Sequence, residues 1–124
     1  MFVNSPKTWI EAEIYCLFEG GNLASVHSSM CYHGIQELTK YEYDFPLTWL
    51  GGQDFAKNCV WLWTDGSKFD YGNWYMDPSY YYMDREEHCL VMNYGLELKW
   101  HYANCSDTHP FVCVKNDWKN ILLN

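Results

Sequence analysis

Apolar residues recur at helical spacing only in the first third of the chain. Trp9, Ala12 and Cys16 fall three and four positions apart, and Gly20-Gly21 ends the run. Thr8-Trp9-Ile10-Glu11 spells a capping box, with Thr8 at the N-cap and Glu11 reaching back from the third helical position. Residues 22–26 read as a short extended link. Ser28 or Ser29 is placed to cap a second helix that buries Ile35 and Leu38. Gly34 inside that helix costs about 1 kcal/mol relative to alanine. Helical periodicity stops after Tyr43. Beyond it come four short strand candidates: Thr48-Trp49-Leu50 closed by Gly51-Gly52, Val60-Trp61-Leu62-Trp63 followed by the turn Thr64-Asp65-Gly66-Ser67, residues 89–93, and residues 111–114. Helices first and strands afterwards predict an α+β fold. From Phe69 to His88 run twenty residues without a period, a length that marks either a functional loop or a wrong element assignment.

Composition narrows the function classes. With 124 residues the chain is predicted to form one domain, 1–124, and 48% hydrophobic residues suffice for a core. Eight Lys+Arg against 16 Asp+Glu leave a net charge of −8, which repels phosphate and argues against nucleic acid or a basic membrane-surface module. No apolar run approaches the roughly 20 residues of a membrane span. Six cysteines, none in a Cys-x-x-Cys pair, favour disulfides over a zinc ribbon, and so a secreted, extracellular protein. The start, Met1-Phe2-Val3-Asn4-Ser5-Pro6, has neither the basic region nor the apolar run of a signal peptide, so a mature form with an added Met1 is expected.

The long loop carries the remaining chemistry. Tyr71, Trp74, Tyr75, Tyr80, Tyr81 and Tyr82 crowd it, with Met76 and Met83 among them. Trp74 reads as core. Three consecutive tyrosines cannot all point inward, so at least one ring is expected to face water, suited to stacking on a sugar or to a protein interface. Asp77, Asp84, Glu86 and Glu87 against Arg85 leave the loop net −3 and favour a basic partner. His88 and His101 flank this region, where a nearby carboxylate would raise an imidazole pKa. Catalysis finds little support: Ser25, His27, Ser28 and Asp54 are scattered, and there is no nucleophile elbow, His-Glu-x-x-His or phosphate loop.

Longer motifs point to a family. Trp9-x-x-Ala12-Glu13-x-x-Cys16, Gly21-Asn22-Leu23-Ala24-Ser25-Val26-His27-Ser28, Trp49-Leu50-Gly51-Gly52, Trp61-Leu62-Trp63-Thr64-Asp65-Gly66-Ser67, Asn73-Trp74, Trp100 and Phe111-Val112-Cys113 occur in order along nearly the whole chain. They resemble the C-type lectin-like domain in its short form, and most of all secreted fish lectins and type II antifreeze proteins. The resemblance implies two helices packed on small antiparallel sheets with a long functional loop. It implies disulfides Cys16–Cys113 and Cys89–Cys105. Cys31 and Cys59 lie outside that framework; a bond to each other, a bond to another chain that makes a homo-oligomer, and free thiols are all open.

Sugar-binding members of that family hold one calcium ion at the loop, whose shell vicinal sugar hydroxyls complete. The corresponding positions here are Asp77-Pro78-Ser79, then Glu87 or Glu86, and the pair His101-Tyr102 where the family has Asn-Asp. Pro78 is a cis proline in the family and an ordinary trans one by default. Imidazole nitrogen and a neutral phenol are poor partners for a hard ion, so Asp77, Ser79 and Glu87 are left as a weak set at most, and no cofactor is expected. A zinc ion on His101 and Glu87 is the other metal option. The resulting expectation is a calcium-independent, non-enzymatic lectin-like protein. It would bind a carbohydrate or protein ligand through Asp77, Ser79, Tyr80, Tyr81, Tyr82, Glu87, His101 and Tyr102. An antifreeze-like ice binder and a disulfide-linked oligomer with a protein target are the alternatives; five Thr and an acidic loop fit ice poorly.

Overall fold

The computed structural model describes residues 1–57, 60–76 and 87–115. Among them, β1 (Phe2–Lys7) leads into α1 (Trp9–Phe18) and β2 (Gly21–Leu23), and α2 (Ser29–Thr39) follows. The strands β3 (Thr48–Gln53), β4 (Leu62–Trp63), β5 (His88–Tyr94), β6 (Lys99–Asn104) and β7 (His109–Lys115) complete the order.

α1 starts where its cap dictates. The Thr8 hydroxyl accepts the Glu11 N–H, while Glu11 Oε1 accepts the Thr8 N–H at 3.0 Å. That backbone hydrogen bond, with the Thr8 hydroxyl behind it, holds the Glu11 carboxyl below the usual carboxylate range. α2 is capped by Ser28, whose Oγ accepts the Cys31 N–H at 3.1 Å. Its buried row is Tyr32, Ile35 and Thr39, so Leu38, one position off that row, faces water instead of the core. Gly34 is exposed, and a Cβ added there meets nothing within 4 Å. Gly34→Ala is therefore expected to stabilise the protein by about 1 kcal/mol, read as a higher urea midpoint.

The main sheet runs β1-β7-β3-β5-β6, with β2 joined to β7 and β4 to β3. The β3–β7 pairing is parallel and the others are antiparallel, so the sheet is mixed. Central strands bury both faces. Leu50, Leu90, Met92 and Val112 enter a cluster with Tyr32 and Ile35 of α2. Their neighbours Trp49, Val91 and Phe111 enter a second cluster with Trp9, Ala12 and Cys16 of α1. Gly51 and Gly52 continue β3 rather than close it. A Cβ on Gly51 would stand 2.8 Å from the Leu23 carbonyl oxygen, and one on Gly52 2.8 Å from Leu90 Cδ2. Their absent side chains admit the link after β2 and the inner face of β5. Val60 and Trp61 precede β4 instead of forming part of it.

Cys16–Cys113 ties α1 to β7, and Cys89–Cys105 ties β5 to the end of β6, as the family resemblance implied. Cys31 is a free, exposed thiol on α2. Cys59 lies outside the described residues. No helix among the described residues is long and apolar enough to cross a membrane.

One buried anion joins three segments. Glu13 of α1 is 4% exposed. Its Oε1 accepts the Leu23 N–H at 3.1 Å and an Asn22 Nδ2–H at 3.2 Å, and its Oε2 accepts the Thr64 hydroxyl. The root of the long loop is thereby fixed to α1 and β2.

Candidate functional site

The loop leaves Thr64 and first turns inward. Trp63 stacks on Phe69 at 4.5 Å, Trp61 meets Trp74 at 4.9 Å, and Tyr71 and Trp74 stand edge-on to Trp100 at 5.8 Å. Trp74 is only half-buried, at the rim of the core instead of inside it. The loop then runs along the start of β6. The Trp100 N–H donates to Asn73 O at 2.9 Å, and the Tyr75 N–H donates to Trp100 O at 2.8 Å. This pairing leaves Tyr75 half exposed at the surface, with Met76 beside it.

From Tyr75 a row of rings crosses the β5–β6 ribbon. Tyr75 meets Tyr94 at 5.2 Å, and Tyr94 stacks on His101 at 4.1 Å with 24° between planes. His101 meets Tyr102 at 4.6 Å, and Tyr102 meets His88 at 4.8 Å. His88 Nδ1 is 3.0 Å from Asp54 Oδ2, and the His88 N–H donates to Asp54 Oδ1 at 2.7 Å. Asp54 is 2% exposed, so a buried carboxylate anchors the far end of the row. Of the residues expected from sequence, His101 and Tyr102 sit in this row and Glu87 is exposed next to it. Asp77, Pro78, Ser79, Tyr80, Tyr81, Tyr82, Asp84, Arg85 and Glu86 lie outside the described residues. Tyr94 was not legible as a site residue; the signal was its place before Gly95, which turns β5 into β6 with φ +73°.

Burial lowers the His101 pKa, the opposite of the rise expected from a carboxylate neighbour. His109 is likewise lowered, burial outweighing the opposing charge of Asp107. The unfolded chain therefore binds more protons than the native one between the lowered values and the ordinary 6.5. The corresponding stability is present above 6.5 and is lost as pH falls through the native values. The urea midpoint is expected to drop between pH 7 and pH 5, and to drop less in His101→Gln, His109→Gln.

A calcium ion of the family type does not fit this ribbon. His101 and Tyr102 are engaged in ring contacts and offer an imidazole and a phenol where hard oxygen donors are needed. Asp54 is committed to His88. Among the described residues no three His, Cys, Asp or Glu side chains converge as metal ligands, so zinc on His101 and Glu87 finds no third partner there.

Residues that look scattered in sequence form a second network. His27 Nδ1 is 2.8 Å from Asp70 Oδ1 and its Nε2 is 3.0 Å from Ser67 Oγ. Ser67 Oγ and N–H both donate to Asp65 Oδ1, and Ser25 Oγ donates to Asp65 Oδ2. Burial pushes the Asp65 carboxyl up, but the Ser25 and Ser67 hydrogen bonds outweigh it, and the net shift is downward. The Ser–His–Asp spacing is not that of a nucleophile: the Ser67 proton serves Asp65, and its N–H is not free to receive an oxyanion. The network braces residues 64–70.

The family model for the lectin C-type domain matches residues 5–115. The chain is 40% identical over 111 residues to ladderlectin of Oncorhynchus mykiss, covering 89% of this chain but 58% of that protein's length. It is 37% identical over 116 residues to the galactose-specific lectin nattectin of Thalassophryne nattereri, covering 93% and 72% of the two chains. A solved calcium-dependent type II antifreeze protein, in its calcium-free form, superposes with a TM-score of 0.80 at 31% identity, covering 94% of this chain and 90% of that one. A calcium-independent type II antifreeze protein superposes at 0.74 with 26% identity, covering 90% and 81%. These relatives are lectins and antifreeze proteins, which bind and do not catalyse.

Proposed function

The chain belongs to the C-type lectin domain family, and on that premise we propose that it is a secreted protein that binds a glycan or protein ligand without calcium. The ligand seats on the ring row of Tyr75, Tyr94, His101 and Tyr102, with Asp77, Ser79, Tyr80, Tyr81, Tyr82 and Glu87 of the loop as further contacts. One observation carries this reading: the pair His101-Tyr102, where sugar-binding relatives supply oxygen donors, is taken up in an aromatic row, with His101 stacked on Tyr94 and Tyr102 tilted against His101. Rings present flat apolar faces to the C–H side of a sugar at low entropic cost, and phenol and imidazole edges add hydrogen bonds. Acidic loop residues favour a ligand or neighbouring surface that carries positive charge.

A glycan array probed in EDTA and again in millimolar Ca²⁺ tests the proposal. Equal, selective binding in both is expected, with Tyr75→Ala weakening it about tenfold or more, as an aromatic anchor does. Binding abolished by EDTA refutes the reading.

Ice binding is the second reading, favoured by the antifreeze superpositions. Ice recrystallisation inhibition at micromolar protein tests it, and inactivity is expected because the ring row is flanked by charge. The free, exposed Cys31 also supports disulfide-linked oligomers, as would Cys59. A dimer band lost on reduction in non-reducing electrophoresis is the sign of them.

A further inference from the structure

The outer face of α1 is apolar, although the inner face already fills the core. Ile10, Ile14, Leu17 and Phe18 fall at i, i+4, i+7 and i+8, a single stripe about 100° wide. Ile10, Ile14 and Leu17 are 46–56% exposed and Phe18 89%. The opposite side, Trp9, Ala12, Glu13 and Cys16, is buried. At its N-terminal end the stripe runs into a cleft of about 440 Å³, which Ile10 lines together with Trp9, Phe55 and Cys105. Phe55 stands edge-on to Trp9 at 5.3 Å and is itself 38% exposed, so it continues the stripe beyond the helix. At about 150–200 Å² for a large apolar side chain, these five residues leave roughly 500 Å² of apolar surface in water. A contiguous exposed patch of that size marks an interaction surface.

We infer that this surface pairs two copies of the chain, α1 against α1 and antiparallel, about a two-fold axis at Ile14. The spacing supplies the symmetry. Positions 10 and 18 lie about 6 Å along the helix on either side of Ile14. An antiparallel copy therefore sets Phe18 over the partner's Ile10, at the partner's cleft, and the same contact recurs across the axis. One chain thus carries at opposite ends of one stripe a protruding ring and an apolar receptor for it. An apolar cavity of about 150 Å³ already holds benzene, so the cleft of about 440 Å³ admits the Phe18 ring. The area also suffices. A standard interface buries about 800 Å² per partner and a homodimer interface is about 65% apolar, or roughly 500 Å², which the patch provides. Charge does not oppose the contact. Glu19 stands with Lys115 at the C-terminal end of α1, and Glu11 with Lys7 at the N-terminal end, so each end carries both signs. Glu87, the one charged residue among those described in the lining of the Phe55 cleft, falls at the end that meets the partner's Lys115. The net charge of −8 is spread over the whole chain and is screened beyond about 8 Å at physiological salt.

Light scattering on the full chain with Cys31→Ser and Cys59→Ser, which leaves no thiol outside the two described disulfides, tests the inference. The mass is expected to rise toward twice that of the monomer between about 1 µM and 1 mM protein. Phe18→Glu is expected to hold the monomer mass throughout that range. Its melting midpoint at the dilute end is expected to stay unchanged, because so exposed a ring contributes little to its own chain. Oxidative cross-linking in the same background reads the geometry. Ile14→Cys is expected to link to itself, since the axis passes beside it. Phe18→Cys mixed with Ile10→Cys is expected to link about tenfold or more faster than Phe18→Cys alone, whose two thiols would stand about 12 Å apart. Monomer mass at every concentration overturns the inference. So does a dimer that survives Phe18→Glu, or Phe18→Cys linking to itself as fast as it links to Ile10→Cys.

Discussion

Replacing Cys16 and Cys113 together with alanine is expected to lower the free energy of unfolding by about 4 kcal/mol, a large share of a small domain's stability. The bridge closes a separation of 97 residues. On the chain-entropy model a loop of that order is worth about 4.7 kcal/mol, while one of 16 residues, the separation across Cys89–Cys105, is worth about 3 kcal/mol. Residual structure in the unfolded chain reduces both figures, but their order survives. The long bridge also holds α1 against β7, where Cys16 and Cys113 are both buried. Urea unfolding of the two alanine pairs, each with Cys31→Ser to prevent exchange, measures the difference. A smaller loss for the Cys16–Cys113 pair than for the Cys89–Cys105 pair contradicts this ranking.

Glu13→Ala is expected to cost about 3 kcal/mol or more, because it strands buried partners of a charged group. The Leu23 N–H, the Asn22 amide and the Thr64 hydroxyl all lose their acceptor at once. Glu13→Gln is expected to cost less, since its remaining oxygen still accepts from the Leu23 N–H and the Asn22 amide, and its NH2 can donate to the Thr64 hydroxyl. Thr64 begins the long loop, so the alanine variant is also expected to lose ligand binding beyond what instability explains. Thermal melts and the binding assay on the same samples check both effects. A loss below about 1 kcal/mol would mean that the three donors find other acceptors.

The helices were legible because their boundaries are written in local chemistry: Thr8 with Glu11, and Ser28, hydrogen-bond within four residues of themselves. Leu38 was misplaced because α2 meets the core along Tyr32, Ile35 and Thr39, a row that a polar threonine hides. The central strands showed as apolar runs, since each buries both faces. Gly51-Gly52 read as a stop because a close approach and a turn use the same residue. β1 and β6 lay outside the strand pattern: β1 contains Pro6 and buries no residue fully, and of β6 only Trp100 is fully buried. At the site, the substitution of His101-Tyr102 for an oxygen-donating pair was legible, but the stack with Tyr94 was not. It depends on a hairpin that brings Tyr94 opposite Lys99, a pairing no local signal announces.

Calorimetric titration of the purified protein with Ca²⁺, paired with thermal melts in Ca²⁺ and in EDTA, probes the ring-row reading most directly. No saturable heat up to about 10 mM is expected, beyond the range of even weak extracellular calcium modules, and no shift in the melting midpoint. Stoichiometric uptake in the micromolar to millimolar range, with a midpoint that falls on chelation, would show instead that the loop and ribbon build a working calcium site.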